Sequence, residues 1–127
     1  MKIIECVPNF SEGRDLSLIK QITDSMESVG GITLLDVDPG ADTNRTVVTI
    51  VGDPESVIQS AFLGIKKASE LIDMRKHRGA HARMGAADVC PFVPISNSSI
   101  DDCILYSKQL AKQVSKDLNI PVFLYEF

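Results

Sequence analysis

Hydrophobic positions switch between a two-residue and a helical period several times along this chain, and each switch predicts an element. Lys2–Val7 reads as a first strand closed by Pro8, with Asn9-Phe10-Ser11-Glu12-Gly13 as a turn-rich loop. Ile19, Ile22, Met26 and Val29 recur at helical spacing, which predicts an amphipathic helix from Asp15 to about Val29, ended by Gly30-Gly31. Ile32–Val37 is β-branched and apolar, a strand, with Asp38-Pro39-Gly40 as its turn; Arg45–Val51 is the next strand.

Gly52-Asp53-Pro54-Glu55 is a strong helix start, because Asp53 can cap, Pro54 suits the first helical position and Glu55 favours the positive helix end. Val57, Ile58, Ala61, Phe62, Ile65, Ala68, Leu71 and Ile72 form its apolar stripe, predicting a helix to about Met74. Asp88–Ile95 is apolar but carries Pro91 and Pro94, the mark of a short edge or irregular strand. Ser98-Ser99-Ile100-Asp101-Asp102 offers overlapping caps for a helix presenting Cys103, Ile104, Ala111, Val114 and Leu118. Asn119 is its stop before Pro121, and Val122–Tyr125 is a last strand. The order β-α-β-β-α-β-α-β implies an α+β fold: a mixed sheet with helices packed on it, whose first six elements match a ferredoxin-like βαββαβ core extended by an α-β unit.

With 127 residues the chain is one small domain by length, and its net charge of −4 argues against non-specific nucleic-acid binding. Cys6, Cys90 and Cys103 form no C-x-x-C pair and are odd in number, which suits a reducing compartment and buried thiols. Met1-Lys2-Ile3-Ile4 is too short for a signal peptide, and no apolar run approaches the ~20 residues of a membrane span. The expectation is a soluble, cytoplasmic protein without a membrane partner.

Candidate chemistry concentrates in Arg75-Lys76-His77-Arg78-Gly79-Ala80-His81-Ala82-Arg83-Met84-Gly85, which holds both histidines and four cations in an otherwise acidic chain. Cations that hold an anion beside an imidazole that moves a proton near neutral pH suit chemistry on an anionic substrate. His81, between two glycines and outside any apolar periodicity, reads either as a general acid/base or as a surface histidine in a solvated loop. His77 falls at a helix end, where the dipole favours its charged form. Metal ligation by the pair is disfavoured, since Gly79 breaks their helix and Arg75, Lys76, Arg78 and Arg83 repel a cation. Arg78 and Arg83 offer bidentate forks for carboxylates, against the plain alternative of an exposed basic loop. No aromatic neighbours support nucleic-acid stacking. Asp36, Asp38 and Asn44 lie at a strand end, a frequent place for ligands, against ordinary turn chemistry. Asn9 and Ser11-Glu12-Gly13-Arg14 also follow a strand, with helix capping as the alternative. Cys90 reads as a buried thiol.

The blocks Glu5-Cys6-Val7-Pro8-Asn9-Phe10-Ser11-Glu12-Gly13-Arg14, Leu34-Leu35-Asp36-Val37-Asp38-Pro39-Gly40 and Asn44-Arg45-Thr46-Val47 resemble the glutamate formiminotransferases. So do Leu71-Ile72-Asp73-Met74, Arg78-Gly79-Ala80-His81-Ala82-Arg83-Met84-Gly85, Asp88-Val89-Cys90-Pro91-Phe92 and Ile120-Pro121-Val122-Phe123-Leu124-Tyr125. The resemblance implies a folate-dependent one-carbon transferase of histidine breakdown. Such enzymes move the formimino group of N-formimino-L-glutamate to N5 of tetrahydrofolate, the co-substrate, and release glutamate; some relatives handle N-formylglutamate. The family's catalytic histidine falls on His81.

Two departures accompany it. Ala82 stands where the family usually has proline, which frees the backbone of His81 slightly. The family's transferase also has two subdomains with folate between them, and this chain corresponds to the first. The resemblance therefore implies either an N-terminal subdomain, residues 1–127, that needs a second subdomain, a partner chain or a homo-oligomer, or an anion- and folate-binding module without turnover. By charge alone, Arg78 or Arg83 would clamp the glutamate carboxylates, and Asp36 or Asp38 would stabilise a cationic formimino group. Asn9 and Asn44 complete the substrate-binding candidates.

Overall fold

The computed structural model describes residues 1–72, 87–89 and 91–118. Its strands are β1 (Ile3–Cys6), β2 (Asn9–Phe10), β3 (Ile32–Gly40), β4 (Arg45–Gly52), β5 (Ala87–Val89) and β6 (Phe92–Ser96). Its helices are α1 (Leu16–Glu27), α2 (Pro54–Leu71) and α3 (Ile100–Leu118). β1 and β2 behave as one strand. Both pair antiparallel with β4 in a single register, from Ile4↔Gly52 through Cys6↔Ile50 to Asn9↔Val47 and Phe10↔Thr46. The strand therefore does not close at Pro8, and Asn9-Phe10 is sheet rather than loop. Proline removes one ladder donor, but the Pro8 carbonyl still accepts from Val48 N at 3.0 Å and Val7 N donates to Pro91 O at 3.0 Å. β5 and β6 likewise continue one edge, pairing antiparallel with β2 and β1 respectively. Among the described strands the sheet reads, in order, β5/β6, β2/β1, β4, β3. Every pairing among the described strands is antiparallel, so the sheet is not the mixed one expected. The order is that of the split βαββαβ ferredoxin-like core, whose crossovers separate the parallel strands by an antiparallel one.

Alternation along these strands separates two faces. Ile4, Cys6, Pro8 and Phe10 are buried, as are Thr46, Val48, Ile50 and Gly52 opposite them. They meet Ile22 and Met26 of α1, Val57, Ala61, Phe62 and Ala68 of α2, and Cys103, Leu110 and Val114 of α3 in one core. In α3 the buried position is Leu110, whereas Ala111, expected on the stripe, is half-buried, because Cys103, Leu110 and Val114 line the stripe at spacings of seven and four. Among the described residues, all three helices lie on this face.

β3 runs to Gly40, paired with Arg45, so Asp38-Pro39-Gly40 is strand and the turn is residues 41–44. Pro39 is tolerated because β3 pairs only with β4 among the described strands. α1 ends at Glu27, before the glycines, with Ser28 as its cap. α2 ends at Leu71, where Ile72 turns extended (φ −92, ψ 118). The strand expected at residues 122–125 lies outside the described residues.

Helix starts follow their local chemistry. Asp53 caps α2, accepting from Ser56 N at 3.1 Å, with Pro54 in the first turn. Ser99 and Asp102 form a reciprocal box at α3: Asp102 N donates to Ser99 Oγ (3.0 Å) and Ser99 N to Asp102 Oδ2 (3.1 Å). Helices α1 and α2 approach closely over small residues. Ser60 Oγ donates to Met26 O at 2.9 Å, and a Cβ on Gly64 would meet the Met26 side chain at 2.8 Å and Phe10 Cζ at 3.1 Å. Burial pushes the Cys103 thiol up, aided by the Asp102 charge.

Two outcomes follow. Gly64→Val forces two methyls between α1 and α2 and is expected to lower unfolding free energy by about 2 kcal/mol in urea titrations. Asp53→Ala is expected to cost about 1 kcal/mol at pH 7. Hydrogen bonds from Ser56, side chain first, hold the Asp53 carboxyl below its ordinary 3.8. Its lowered folded-state value makes that contribution complete above pH 3.8 and lost as pH falls through the folded value. The gap between wild type and Asp53→Ala should therefore narrow in titrations carried below pH 3.8.

Candidate functional site

The face turned away from the helices carries the remaining half of each strand. Cross-strand partners share a face, so the pairings sort it into rows. Asn9 of β2 stands opposite Val47 of β4, and Val47 opposite Asp38 of β3. The next rows set Asp36 opposite Thr49, and Glu5 opposite Val51 on one side and Val93 on the other. Val7, Val47, Thr49 and Val51 are half-buried, while Asp36 and Asp38 are exposed. The result is an apolar floor with carboxylates along one side.

A β-bulge decides that Asp36 and Asp38 stand there. The β3–β4 register slips between Leu34 and Asp36, leaving Leu35 as the extra residue. Before the bulge Ile32 and Leu34 face the core; after it Val37 does, and the two aspartates turn outward. Without the slip, Asp36 and Asp38 would share the inward phase of Ile32 and Leu34, which the burial cost of a carboxylate forbids. On one strand face the two lie about 7 Å apart, and Asn9 stands two strands from Asp38, about 10 Å between backbones. Paired carboxylates on an open face suit a ligand group carrying positive charge. Among the described residues no cluster of His, Cys, Asp and Glu could hold a metal ion.

Beside this row the β2–α1 loop is clasped to the β3–β4 turn. Gly13 N donates to Asn44 Oδ1 at 2.9 Å, Arg14 Nε to Ala41 O at 2.9 Å, and Thr46 Oγ1 to Glu12 O. Gly13 packs so closely that a Cβ there would collide with Gly40 O and with the backbone of Arg45. Asn44 meets a second demand, a left-handed backbone with φ 53, which asparagine tolerates better than most residues. Glu12 and Asp15 do what helix capping requires. Glu12 Oε2 accepts from Arg14 N (2.9 Å) and Asp15 N (3.0 Å), and Asp15 Oδ1 accepts from Leu18 N (3.1 Å).

The structure thus gathers Asn9, Asp36 and Asp38 on the sheet face opposite the described helices, and places Asn44 in the clasp beside them. His77, Arg78, His81, Arg83 and Cys90 lie outside the described residues. Sequence reasoning names no site role for Thr49 and Val47 on this face, for the Leu35 bulge, or for Thr46 in the clasp, and it reads Gly13 only as part of a segment following a strand. The β-branched run Arg45–Gly52 marks a strand, but Val47 and Val48 are both apolar and Thr46 and Thr49 both polar, so it does not tell which face each takes; nothing local marks Leu35 as a bulge. Among the described residues no helix is long and apolar enough to cross a membrane.

Comparison with known proteins shows the fold and the family. A bacterial microcompartments protein from Desulfitobacterium hafniense DCB resembles the chain over its whole length and 52% of its own, with a TM-score of 0.53 at 15% identity, a likeness of fold alone. A formimidoyltransferase-cyclodeaminase of Dictyostelium discoideum is 53% identical over 125 residues, covering 98% of this chain and 23% of that protein. The glutamate formimidoyltransferase of Streptococcus pyogenes serotype M1 is 50% identical over 125 residues, covering 98% of this chain and 42% of its own length. That of Thermoplasma acidophilum is 47% identical, with 41% of its length covered. The chain therefore spans between 23% and 42% of the length of these curated relatives. The family model of the formiminotransferase domain, N-terminal subdomain, matches residues 3–127, and the chain belongs to that family.

Proposed function

We propose that this chain supplies the N-terminal half of a glutamate formimidoyltransferase site, acting in the cytoplasm in histidine breakdown. The reaction moves the formimino group of N-formimino-L-glutamate to N5 of tetrahydrofolate. The observation that carries the reading is the family match over residues 3–127, joined to about half identity with a relative named for that activity. The open sheet face is consistent with it, since it offers carboxylates to a substrate whose reacting group is cationic.

In this reading N5 of tetrahydrofolate attacks the formimino carbon, forming a C–N5 bond and a tetrahedral intermediate. His81 takes the proton from N5 and returns one to the glutamate nitrogen as the C–N bond to glutamate breaks. A group titrating near neutrality serves both directions. Asp38, with Asp36 beside it, stabilises the positive charge on the formimino nitrogen. Arg78 or Arg83 holds the glutamate carboxylates, and Asn9 contributes a hydrogen-bonding amide at the row's other end. Tetrahydrofolate is co-substrate, and no metal is required. A second reading, a half that binds its ligands but turns over only with a second subdomain or partner chain, is favoured by the match to a family model described as an N-terminal subdomain.

The test is formimino transfer by the purified chain, alone and mixed with the second half of a relative such as the Streptococcus protein. Turnover in either preparation supports the reading; its absence in both overturns it. In the active preparation His81→Ala is expected to lower kcat by about 10²–10⁴-fold with an unchanged melting temperature. Asp38→Asn is expected to lower kcat/KM by roughly tenfold to a hundredfold, the scale of one charged hydrogen bond. Wild-type rates in Asp38→Asn would remove that carboxylate from the site.

A further inference from the structure

We propose that Asn44 is a positioning residue: it fixes Asp38 relative to Asn9 for the formimino donor without touching that donor. The inference rests on the reading above, and it comes from the geometry of the clasp. Asn9 and Gly13 share one stretch of backbone, four residues apart; Asp38 lies two residues before Gly40. Gly13 is in direct backbone contact with Gly40 and Arg45. The sheet register through Val47 sets the spacing of the two outward side chains, and the seat of the β2–α1 loop on the β3–β4 turn ties it a second time at the strand ends.

The hydrogen bonds described at that seat differ in kind. Arg14 to Ala41 joins an exposed, flexible side chain to a carbonyl, and Thr46 to Glu12 ties the strand end to the loop. Only the Gly13–Asn44 bond joins the loop's closest-packed residue to the turn residue whose own backbone is left-handed. Glu12 and Asp15 meanwhile hold the loop's other end to the start of α1. With α1 fixed on one side, the Asn44 acceptor decides where the loop meets the hairpin on the other. Its side-chain oxygen is already engaged by Gly13, which points to action through the loop.

Substitutions separate the two demands on Asn44. Asn44→Gly keeps the left-handed backbone and removes the acceptor, whereas Asn44→Asp keeps both. Ser60→Ala, which removes a buried bond on the helix side, serves as a control for stability loss alone. In the preparation that turns over, Asn44→Gly is expected to raise KM for N-formimino-L-glutamate about fivefold to tenfold, the scale of one net hydrogen bond. KM for tetrahydrofolate should stay unchanged, Asn44→Asp should recover the donor KM, and Ser60→Ala should leave it at wild type. A wild-type donor KM in Asn44→Gly overturns the proposal, as does an equal rise in Ser60→Ala or no recovery in Asn44→Asp. Those outcomes leave formimino transfer standing. A wild-type protein without turnover in any preparation sinks the reading and this inference together.

Discussion

The single register between β1–β2 and β4 governs most of what this chain can do. From Ile4↔Gly52 to Phe10↔Thr46 the two strands stay in step across Pro8, so seven consecutive residues of the first strand keep strict alternation. Even-numbered residues from Ile4 to Phe10 enter the core, and odd-numbered ones face away. A slip of one residue would exchange the two sets, burying Glu5 and Asn9 and exposing Ile4 and Phe10. Roughly 2 kcal/mol for each fully buried large side chain opposes that exchange, so the force that builds the core also orients Asn9. Packing and site are two faces of one constraint.

β3 could not obey the same constraint unaided. Ile32, Leu34 and Val37 must all face inward to meet α1 and α2, yet an unbroken strand alternates by two and cannot place both Leu34 and Val37 there. The bulge at Leu35 resolves the conflict by inserting one residue, and the aspartates on either side of Val37 turn outward as a result. The same features suit the outermost of the described strands. Among the described residues the nine-residue β3 is paired on one side only, and a bulge, a proline and two carboxylates each discourage further pairing on the other. Asp36 and Asp38 therefore carry a structural benefit whatever they bind, so acidic residues at this position alone would be thin evidence of chemistry.

Most of the fold was legible, and the errors share one cause. The helix at Asp53-Pro54-Glu55 declares itself because capping is local chemistry, and so does the reciprocal pair Ser99 and Asp102. The apolar stripes of α1 and α2 are legible for the same reason: their period is written in neighbouring residues. Pro8 and Asp38-Pro39-Gly40 read as breaks because proline and glycine are breakers in isolation. Only tertiary pairing shows that Pro8 spends one rung of an otherwise continuous ladder, or that Pro39 lies on a strand that, among the described residues, is paired on one side only. The candidate site was legible in a different way. Asp36, Asp38 and Asn9 stood out as polar groups beside strands, but their common face depends on the Leu35 slip, which no local rule announces. Asn44 reads from sequence as a ligand residue or a turn residue, and the structure adds its left-handed backbone and its bond from Gly13, which no local rule announces.

The clasp shows how a small domain can hold a site steady at its rim. Strand ends fray, since the last rungs of a ladder have fewer neighbours than its middle. Asn9 and Asp38 both sit within a few residues of such ends. Here the fraying ends of two strands are closed by a loop that already belongs to a helix, through backbone contact at Gly13 and side-chain bonds from Arg14, Asn44 and Thr46. Each bond is worth only about 1 kcal/mol in isolation. Their arrangement matters more than their sum, because α1 is anchored through Met26 and Ile22 in the core and transmits that rigidity to the rim. The polar row on the open face is thus held in place by hydrophobic packing on the opposite one.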